Sequence, residues 1–266
     1  MLYFLKWTNL LKSIGNDIVD LRSVDKSRTE EPRYYSKILS AGERELYHSS
    51  QLSQLPFFIF VWVLWSVKES GYKYLKRNFP DLVFSPTKII VKNIICPNNA
   101  QLPGSLIWNN TDSKDEFYSG HAVYGNINFY FRSKINSNWL TSAVNDSEDF
   151  ENVYWGMKTI DSTEYAIQSQ ESKLLLLEKL SAFLQGDLKI EKRGTPYPSV
   201  FRDNENLNIP VSLSHDGNFI AYAFIANWSQ GSKKGFWFRK TFGPFKKPNL
   251  NLSGKLIKKF TSNFAM

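Results

Sequence analysis

Residues 55–77, LPFFIFVWVLWSVKESGYKYLKR, join one of the most apolar runs of the chain to a cluster of charged residues. In a helix, the apolar residues of this stretch recur at i, i+3 and i+4 and form one face. Glu69 and Lys73 then meet at i, i+4 on the rim of that face. Charged side chains rarely lie inside a protein unless they are paired or functional. Lys68, Glu69 and Lys73 therefore indicate either a surface ion pair or a site.

A second part of the chain repeats this arrangement. Gln170-Glu171-Ser172 corresponds to Lys68-Glu69-Ser70, and a helical pattern with strand-like sequence follows each triplet. In residues 121–133, HAVYGNINFYFRS, Ile127, Phe129 and Phe131 occupy every second position, as the buried residues of a half-buried strand do. Residues 211–226, VSLSHDGNFIAYAFIA, read as two strands around an Asp-Gly turn. The sequence predicts an α+β fold: a pseudo-twofold pair of similar lobes, each a helix packed on an antiparallel sheet.

Charge and composition divide the chain further. We expect a first lobe over residues 1–138, a second lobe over 139–229 and a basic aromatic tail over 230–266. The formal net charge is +8, and residues 227–266 hold nine basic residues and no acid, leaving 24 basic against 25 acidic residues before them. Such a tail suits an acidic protein, a nucleic acid or an anionic membrane, and it suits a solvated extension equally well.

The remaining composition favours a protein of a reducing compartment. The chain is 42% hydrophobic, which is ample for a core, and its single cysteine excludes an internal disulfide. The first residues lack the pattern of a secretory leader, and no apolar run approaches the length of a membrane span. We expect a cytoplasmic protein with no membrane insertion.

Three further segments carry chemistry-bearing residues. In SIGNDIVDL, residues 13–21, Gly15 permits a tight or left-handed turn ahead of Asp17, which begins a strand. In SLSHDG, residues 212–217, a histidine lies at a strand end, and in KRGTPYP, residues 192–198, two basic residues flank a rigid turn. Each segment alone is more typical of an ordinary turn than of a site.

Taken together, these segments resemble the signature motifs of the 4'-phosphopantetheinyl transferase superfamily, of the holo-acyl-carrier-protein synthase type. Gly15-Asn16-Asp17 is similar to the family's Gly-x-Asp motif. Trp65 through Lys73 is similar to its Trp-Ser/Ala-x-Lys-Glu-Ala/Ser-x-x-Lys motif, the most specific of the set. Gly194 through Tyr197, followed by Ser212 through His215, resembles its Gly-Lys-Pro-Tyr and Ser-x-Ser-His segments.

The resemblance implies that coenzyme A binds between two fused lobes of a monomer. Its phosphopantetheine arm is transferred to a serine of an acidic acyl or peptidyl carrier protein, and adenosine 3',5'-bisphosphate is released. Mg²⁺ is the implied metal, with Mn²⁺ as the alternative. By the same resemblance, Asp17 and Glu69 are metal ligands, Glu69 is also the base for the carrier serine, and Lys73 is catalytic through its contact with phosphate. The residues expected to contact coenzyme A are Lys68, Lys73, Lys192, Arg193, Tyr197, Ser214 and His215.

The sequence departs from the family pattern in three respects. The Gly-x-Asp and Lys-Glu motifs precede the Ser-x-Ser-His segment, which reverses the order usual in two-lobed members. Thr195 replaces the lysine of Gly-Lys-Pro-Tyr, so a nucleotide contact is either lost or taken over by Arg193. Val19 occupies the position of a third acidic ligand, and Asp20, one residue later, is not counted as a ligand.

Two alternatives belong to other functional classes. A degenerate transferase would bind carrier domains or coenzyme A without turnover, but it would not need both Asp17 and Glu69. A nucleic-acid-binding protein would spread its basic residues over the folded body, whereas the body before the tail is close to neutral. We therefore expect no nucleic-acid partner.

Overall fold

The computed structural model describes residues 11–48, 51–97, 107–109 and 117–226. The predicted basic tail, 230–266, lies outside these residues. The helices are α1 (Lys26–Thr29), α2 (Pro32–Tyr35), α3 (Ala41–His48), α4 (Phe57–Lys76) and α5 (Tyr165–Ser181). The strands are β1 (Gly15–Asp20), β2 (Ile89–Ile95), β3 (Ile107–Asn109), β4 (Tyr118–Tyr124), β5 (Ile127–Ile135), β6 (Trp139–Asn145), β7 (Val153–Thr159), β8 (Leu188–Glu191), β9 (Ser199–Arg202), β10 (Glu205–Asn206), β11 (Val211–Asp216) and β12 (Phe219–Ile225).

Helix α4 packs on a five-stranded sheet of order β1-β6-β5-β4-β2, in which all neighbours are antiparallel. The predicted helix is confirmed, and it begins after Pro56, whose fixed φ suits the first turn. Phe60, Leu64 and Val67 are fully buried because the apolar face of α4 covers the sheet. In β5, Ile127, Phe129 and Phe131 face the same core, and the alternation predicted for this strand is confirmed up to Phe131.

Helix α5 packs on a second sheet, of order β11-β12-β7-β3, and a short sheet of order β10-β9-β8 lies beside it. Leu176 and Leu180 of α5 are buried against this second sheet, as an apolar second helix predicted. The predicted hairpin is confirmed as β11 and β12, with Gly217 in the left-handed region at a φ of 53°. Antiparallel sheets and few helices make the fold α+β.

The predicted boundary between residues 138 and 139 immediately precedes β6. Strand β6 is hydrogen-bonded to β1 on one side and to β5 on the other, which attaches it to the first sheet. The strands of the second sheet that follow in the chain begin with Val153. No helix of the described residues is long and apolar enough to cross a membrane.

The two larger sheets meet where the edge strands β1 and β11 lie side by side. The backbone N–H of Asn16 donates to Ser212 Oγ at 3.0 Å, and its side-chain amide donates to Ser214 Oγ at 2.9 Å. The N–H of Asp20 donates to Asp216 Oδ2 at 2.8 Å. These side-chain bonds join the two strand edges and bring the first Asp motif next to the His segment.

Candidate functional site

Three of the predicted site residues meet beside this junction. Lys73 Nζ on α4 lies 3.1 Å from Asp17 Oδ1 on β1 and 3.3 Å from Glu69 Oε1, one turn earlier in the helix. The Asp17 side chain is 6% exposed, whereas those of Glu69 and Lys73 are 31% and 25% exposed. The cluster therefore has one buried carboxylate and one that solvent or a ligand can reach.

Close contact between β1 and α4 makes this cluster possible, and Gly15 permits that contact. A Cβ at Gly15 would collide with the carbonyl oxygen of Ser70 and crowd the backbone nitrogen of Tyr74. Gly15 is not among the glycines with positive φ, so its role differs from the left-handed turn that the sequence suggested. It is needed because the strand backbone lies directly against the helix backbone.

The electrostatics of the cluster follow from burial. Burial of Asp17 raises the pKa of its carboxyl to about 7, and the neighbouring charge of Glu69 adds to the rise while Lys73 opposes it. Burial disfavours the charge on Lys73, but Asp17 and Glu69 outweigh that effect and raise the pKa of its ammonium. Asp17 Oδ2 is buried, and no group in the described part of the chain forms a hydrogen bond with it.

This donor set fits a hard divalent cation. An unpartnered buried carboxylate oxygen is costly, and a cation beside it would satisfy it. Within the described ranges no three His, Cys, Asp or Glu side chains are grouped to hold a metal ion. Mg²⁺ commonly takes only one or two carboxylates and completes its coordination with substrate phosphates and water. Asp17 and Glu69 are therefore sufficient for such an ion.

Asp20 does not join the pair. Its carboxylate binds the guanidinium of Arg22, with Oδ2 2.6 Å from the terminal nitrogen. Burial acts to raise the pKa of this carboxyl, but its bonds to Arg22 prevail and lower the pKa. Val19 is 4% exposed in the apolar core under α4, as its side-chain type predicts.

Ser214 and His215 are neighbours on β11, so their side chains point to opposite faces of the sheet: Ser214 towards β1 and His215 towards α5. The Ser214 hydroxyl accepts from the Asn16 amide, which leaves its own proton free to donate. His215 is half-buried and packs edge-on against the ring of Tyr165, with 5.0 Å between centroids. Burial lowers the pKa of its imidazole, and the positive charge of Lys73 lowers it further. Both effects favour the neutral form of His215, and the second shows that its ring is close enough to interact with the charge of Lys73.

Lys68 is not part of the cluster, because its side chain lies inside the core and is bound there to other groups. Its side chain is 0% exposed, and Nζ donates to Glu43 Oε2 at 2.8 Å and to the carbonyl of Ile38 at 2.6 Å. The prediction that Lys68 contacts coenzyme A is at odds with this position, because no part of the side chain reaches the surface. The adjacent residue, Glu69, projects from a different side of the helix.

Sequence reasoning missed Glu43, although a signal was present. Ser40 and Glu43 form a capping box, in which the Ser40 N–H donates to Glu43 Oε2 and the Glu43 N–H donates to Ser40 Oγ. Glu43 Oε1 also accepts from the N–H of Val91 on β2. One buried carboxylate thus links the start of α3, helix α4 through Lys68, and the edge strand of the first sheet.

The predicted basic turn lies in and beside the short third sheet. Lys192 is exposed. Arg193 forms an ion pair with Glu191 and lies over the ring of Phe201, 4.1 Å from its centroid. Thr195 donates its hydroxyl proton to the carbonyl of Tyr197. Of this segment, only Tyr197 has a described contact with α4, through Arg77, whose guanidinium carbon lies 5.3 Å from the ring centroid.

Comparison with known proteins agrees with the resemblance. Residues 13–126 match the model of the 4'-phosphopantetheinyl transferase superfamily. The matched range includes Asp17, Glu69 and Lys73 and ends before the segment of Ser214 and His215. Neither the curated proteins nor the solved structures yield a match.

Proposed function

We propose that this chain transfers the 4'-phosphopantetheine arm of coenzyme A to a serine of an acyl or peptidyl carrier protein and releases adenosine 3',5'-bisphosphate. The family match supports phosphopantetheine transfer in general. The observation that carries the proposal to particular residues is the position of Lys73 between the carboxylates of Asp17 and Glu69. A pyrophosphate requires such a combination of cation and metal-binding acids.

Asp17 and Glu69 would hold the divalent ion, Mg²⁺ or alternatively Mn²⁺. When bound, it would offset the negative charge of the pyrophosphate and of the leaving phosphate. The unpartnered Oδ2 of Asp17 is the oxygen best suited to this role, because it is buried and accepts no hydrogen bond from the described residues; the Ser66 hydroxyl is the neighbouring donor to this carboxylate.

Glu69 is the base in this proposal, since its carboxylate is 31% exposed whereas that of Asp17 is almost fully buried. It accepts the proton of the carrier serine, directly or through one water. The serine oxygen forms a bond to the phosphorus that bears the pantetheine arm. The bond from that phosphorus to the bridging oxygen breaks, and Lys73 neutralises the charge that develops on the departing phosphate.

Ser214 and His215 are assigned to the phosphates on the nucleotide side. The Ser214 hydroxyl can donate while Asn16 holds its oxygen, and a neutral His215 can donate one N–H. Lys192 remains an exposed candidate for a nucleotide contact. Arg193 is a weaker candidate, because Glu191 already binds its guanidinium.

The same proposal includes a two-lobed monomer in a cytoplasmic setting. The junction of β1 and β11 would separate a metal-binding lobe from a nucleotide-binding lobe. The partner would be an acidic carrier protein, because a basic surface near the site raises the association rate with such a partner. Residues 227–266 hold nine basic residues and no acid, which would favour an acidic partner.

The test is the mass of a purified apo carrier protein after incubation with coenzyme A and Mg²⁺. The wild type should add one phosphopantetheine group, whereas Glu69→Ala and Asp17→Ala should add none in the same time. Glu171→Ala is the matched control, because Glu171 occupies the corresponding place in α5 and is not one of the described ion-pair partners of Lys73, so it should leave the transfer unchanged. No mass gain with several carrier proteins, together with measurable binding of coenzyme A, would favour the degenerate binding protein instead.

A further inference from the structure

Aromatic side chains line the side of helix α4 that does not cover the first sheet, where a helix usually carries polar residues. Trp65 and Tyr72 are half-buried, and their ring centroids lie 5.4 and 5.2 Å from that of Phe84. Trp62 packs edge-on against Trp65, with 6.0 Å between centroids. We call Trp62, Trp65, Tyr72 and Phe84 the aromatic patch. A contiguous patch of large apolar side chains that solvent can reach is typical of an interaction surface.

The aromatic patch borders Glu69 on the side away from the metal-binding cluster. Successive residues of a helix are turned by about 100° around its axis. Lys73 is thus turned by about 40° from Glu69 in one direction, towards Asp17. Trp65 and Tyr72 are turned from Glu69 by about 40° and 60° in the other direction. The carboxylate of Glu69 therefore has the charged cluster on one side and an aromatic surface on the other.

The surroundings of the aromatic patch add a positive charge and more apolar surface. Phe58 is one turn before Trp62 on α4, and Lys26 Nζ of α1 lies 5.0 Å from the ring centroid of Phe58. Lys26 is exposed and forms no ion pair with the residues that the structure describes. Val83 immediately precedes Phe84 and is 81% exposed. A matching partner would present apolar side chains with an acidic one beside them.

We infer that the aromatic patch is the surface on which the carrier protein docks. This inference rests on the proposed function, in which the carrier serine comes within hydrogen-bond reach of Glu69 or of a water bound to it. The surface of the carrier around that serine then covers what borders Glu69 on the side away from the cluster, which is the aromatic patch. Tryptophan and tyrosine side chains often dominate the binding energy of protein interfaces, and Lys26 matches the acidic character of the partner.

The test measures two constants: the KM for an apo carrier protein that the wild type modifies, and the affinity for coenzyme A, determined by calorimetry without a carrier. Trp65→Ala should raise the KM for the carrier by about 10- to 100-fold, which is the usual effect of truncating a central aromatic residue of an interface. The affinity for coenzyme A should stay unchanged, because the aromatic patch and the cluster lie on opposite sides of Glu69.

Two further variants change exposed residues and leave the core intact. Val83→Asp places a negative charge beside the aromatic patch and should raise the same KM, so it decides the question if Trp65→Ala does not fold. Lys26→Glu should also raise this KM, and the rise should shrink at high salt, because it comes from a solvent-exposed charge. Leu174→Asp is the matched control, because Leu174 is 49% exposed on α5, and it should leave both constants unchanged.

A KM for the carrier that neither Trp65→Ala nor Val83→Asp alters overturns the docking surface and leaves the proposed function standing. A loss of affinity for coenzyme A in both variants overturns it as well, because the pantetheine arm then occupies the aromatic patch. A wild type that is dimeric by light scattering, with Val83→Asp monomeric, assigns the patch to a second copy of the chain instead. If the wild type modifies no carrier protein, the proposed function itself fails, and this inference fails with it.

Discussion

Lys68 Nζ lies 2.8 Å from Glu43 Oε2, and both side chains are completely buried. The next residue, Glu69, has nearly a third of its side chain exposed and meets Lys73 instead. Two adjacent charged residues of one helix thus have different roles, one in the core and one at the site. The reason is that the directions of successive side chains differ by about 100° around the helix axis. Lys68 joins α4 to α3, and Glu69 is left on the side that faces the second sheet.

Removal of one member of the buried pair should destabilise the protein strongly. Lys68→Met leaves the Glu43 carboxylate buried without its cation, so we expect the free energy of unfolding to fall by about 3–5 kcal/mol. The double variant Glu43→Gln/Lys68→Met should recover part of this loss. Urea unfolding measures it, and Glu178→Gln, which breaks an exposed ion pair, is the control with an effect of ~0.5 kcal/mol or less. A Lys68→Met protein of normal stability with weakened coenzyme A binding would contradict the structural role.

Gly15→Ala should separate β1 from α4. The added methyl group meets the backbone of Ser70, which cannot move without distorting the helix, so we expect a loss of ~2–4 kcal/mol and weaker transferase activity. Gly42→Ala is the matched control, because nothing lies within 4 Å of a Cβ there and alanine favours the helix α3. That variant should be as stable as the wild type or slightly more stable, by thermal unfolding. Equal stability of the two variants would argue against the close contact.

The pH dependence of stability should differ in sign between two aspartates of β1. The pKa of Asp17 is raised to about 7 in the folded protein, so the unfolded chain loses this proton first and stability falls as pH rises from about 4 to about 7. Asp17→Asn should remove a fall of ~4 kcal/mol, since the shift is about three pKa units and each unit corresponds to about 1.4 kcal/mol. The pKa of Asp20 is lowered, so its contribution is present above the unfolded pKa and is lost as pH falls below about 4.

These effects should be measured by chemical unfolding from pH 3 to pH 8 in the presence of a chelator. Relative to the wild type, Asp17→Asn should gain stability towards neutral pH, whereas Asp20→Asn should lose stability towards neutral pH and approach the wild type towards acid pH. The same trend in both variants would show that the burial of Asp17 is not what controls its titration.

Lys73→Met should slow catalysis more than it weakens binding. Lys73 is proposed to neutralise charge that is greatest in the transition state, so we expect kcat to fall by about 10²–10³-fold and KM for coenzyme A to change far less. Lys76→Met is the matched control, because Lys76 Nζ donates to the carbonyl of Leu82 rather than to the cluster. Steady-state kinetics with an apo carrier protein would measure both constants. A change confined to KM would show that Lys73 only binds substrate.

Local pattern was sufficient for the secondary structure that positions the site. The helical spacing of residues 57–76, the alternation in β5 and the Asp-Gly turn before β12 each depend on neighbouring residues, and all three are confirmed. The motif spacing likewise predicted that Glu69 and Lys73 meet, since i, i+4 geometry is a property of any helix. The residue types also indicated which family the first half of the chain resembles, and the match over residues 13–126 agrees.

Tertiary structure alone decided the partners of the remaining charges. Lys68 and Lys73 read alike in the sequence, yet one is bound to Glu43 inside the core and the other to Asp17, 56 residues away, at the site. Arg77 carried no signal, because its contacts with Tyr197 and Asn208 cross more than a hundred positions of the chain. Periodicity fixes the face on which a side chain lies, but strand pairing and close packing between distant segments determine what that face meets.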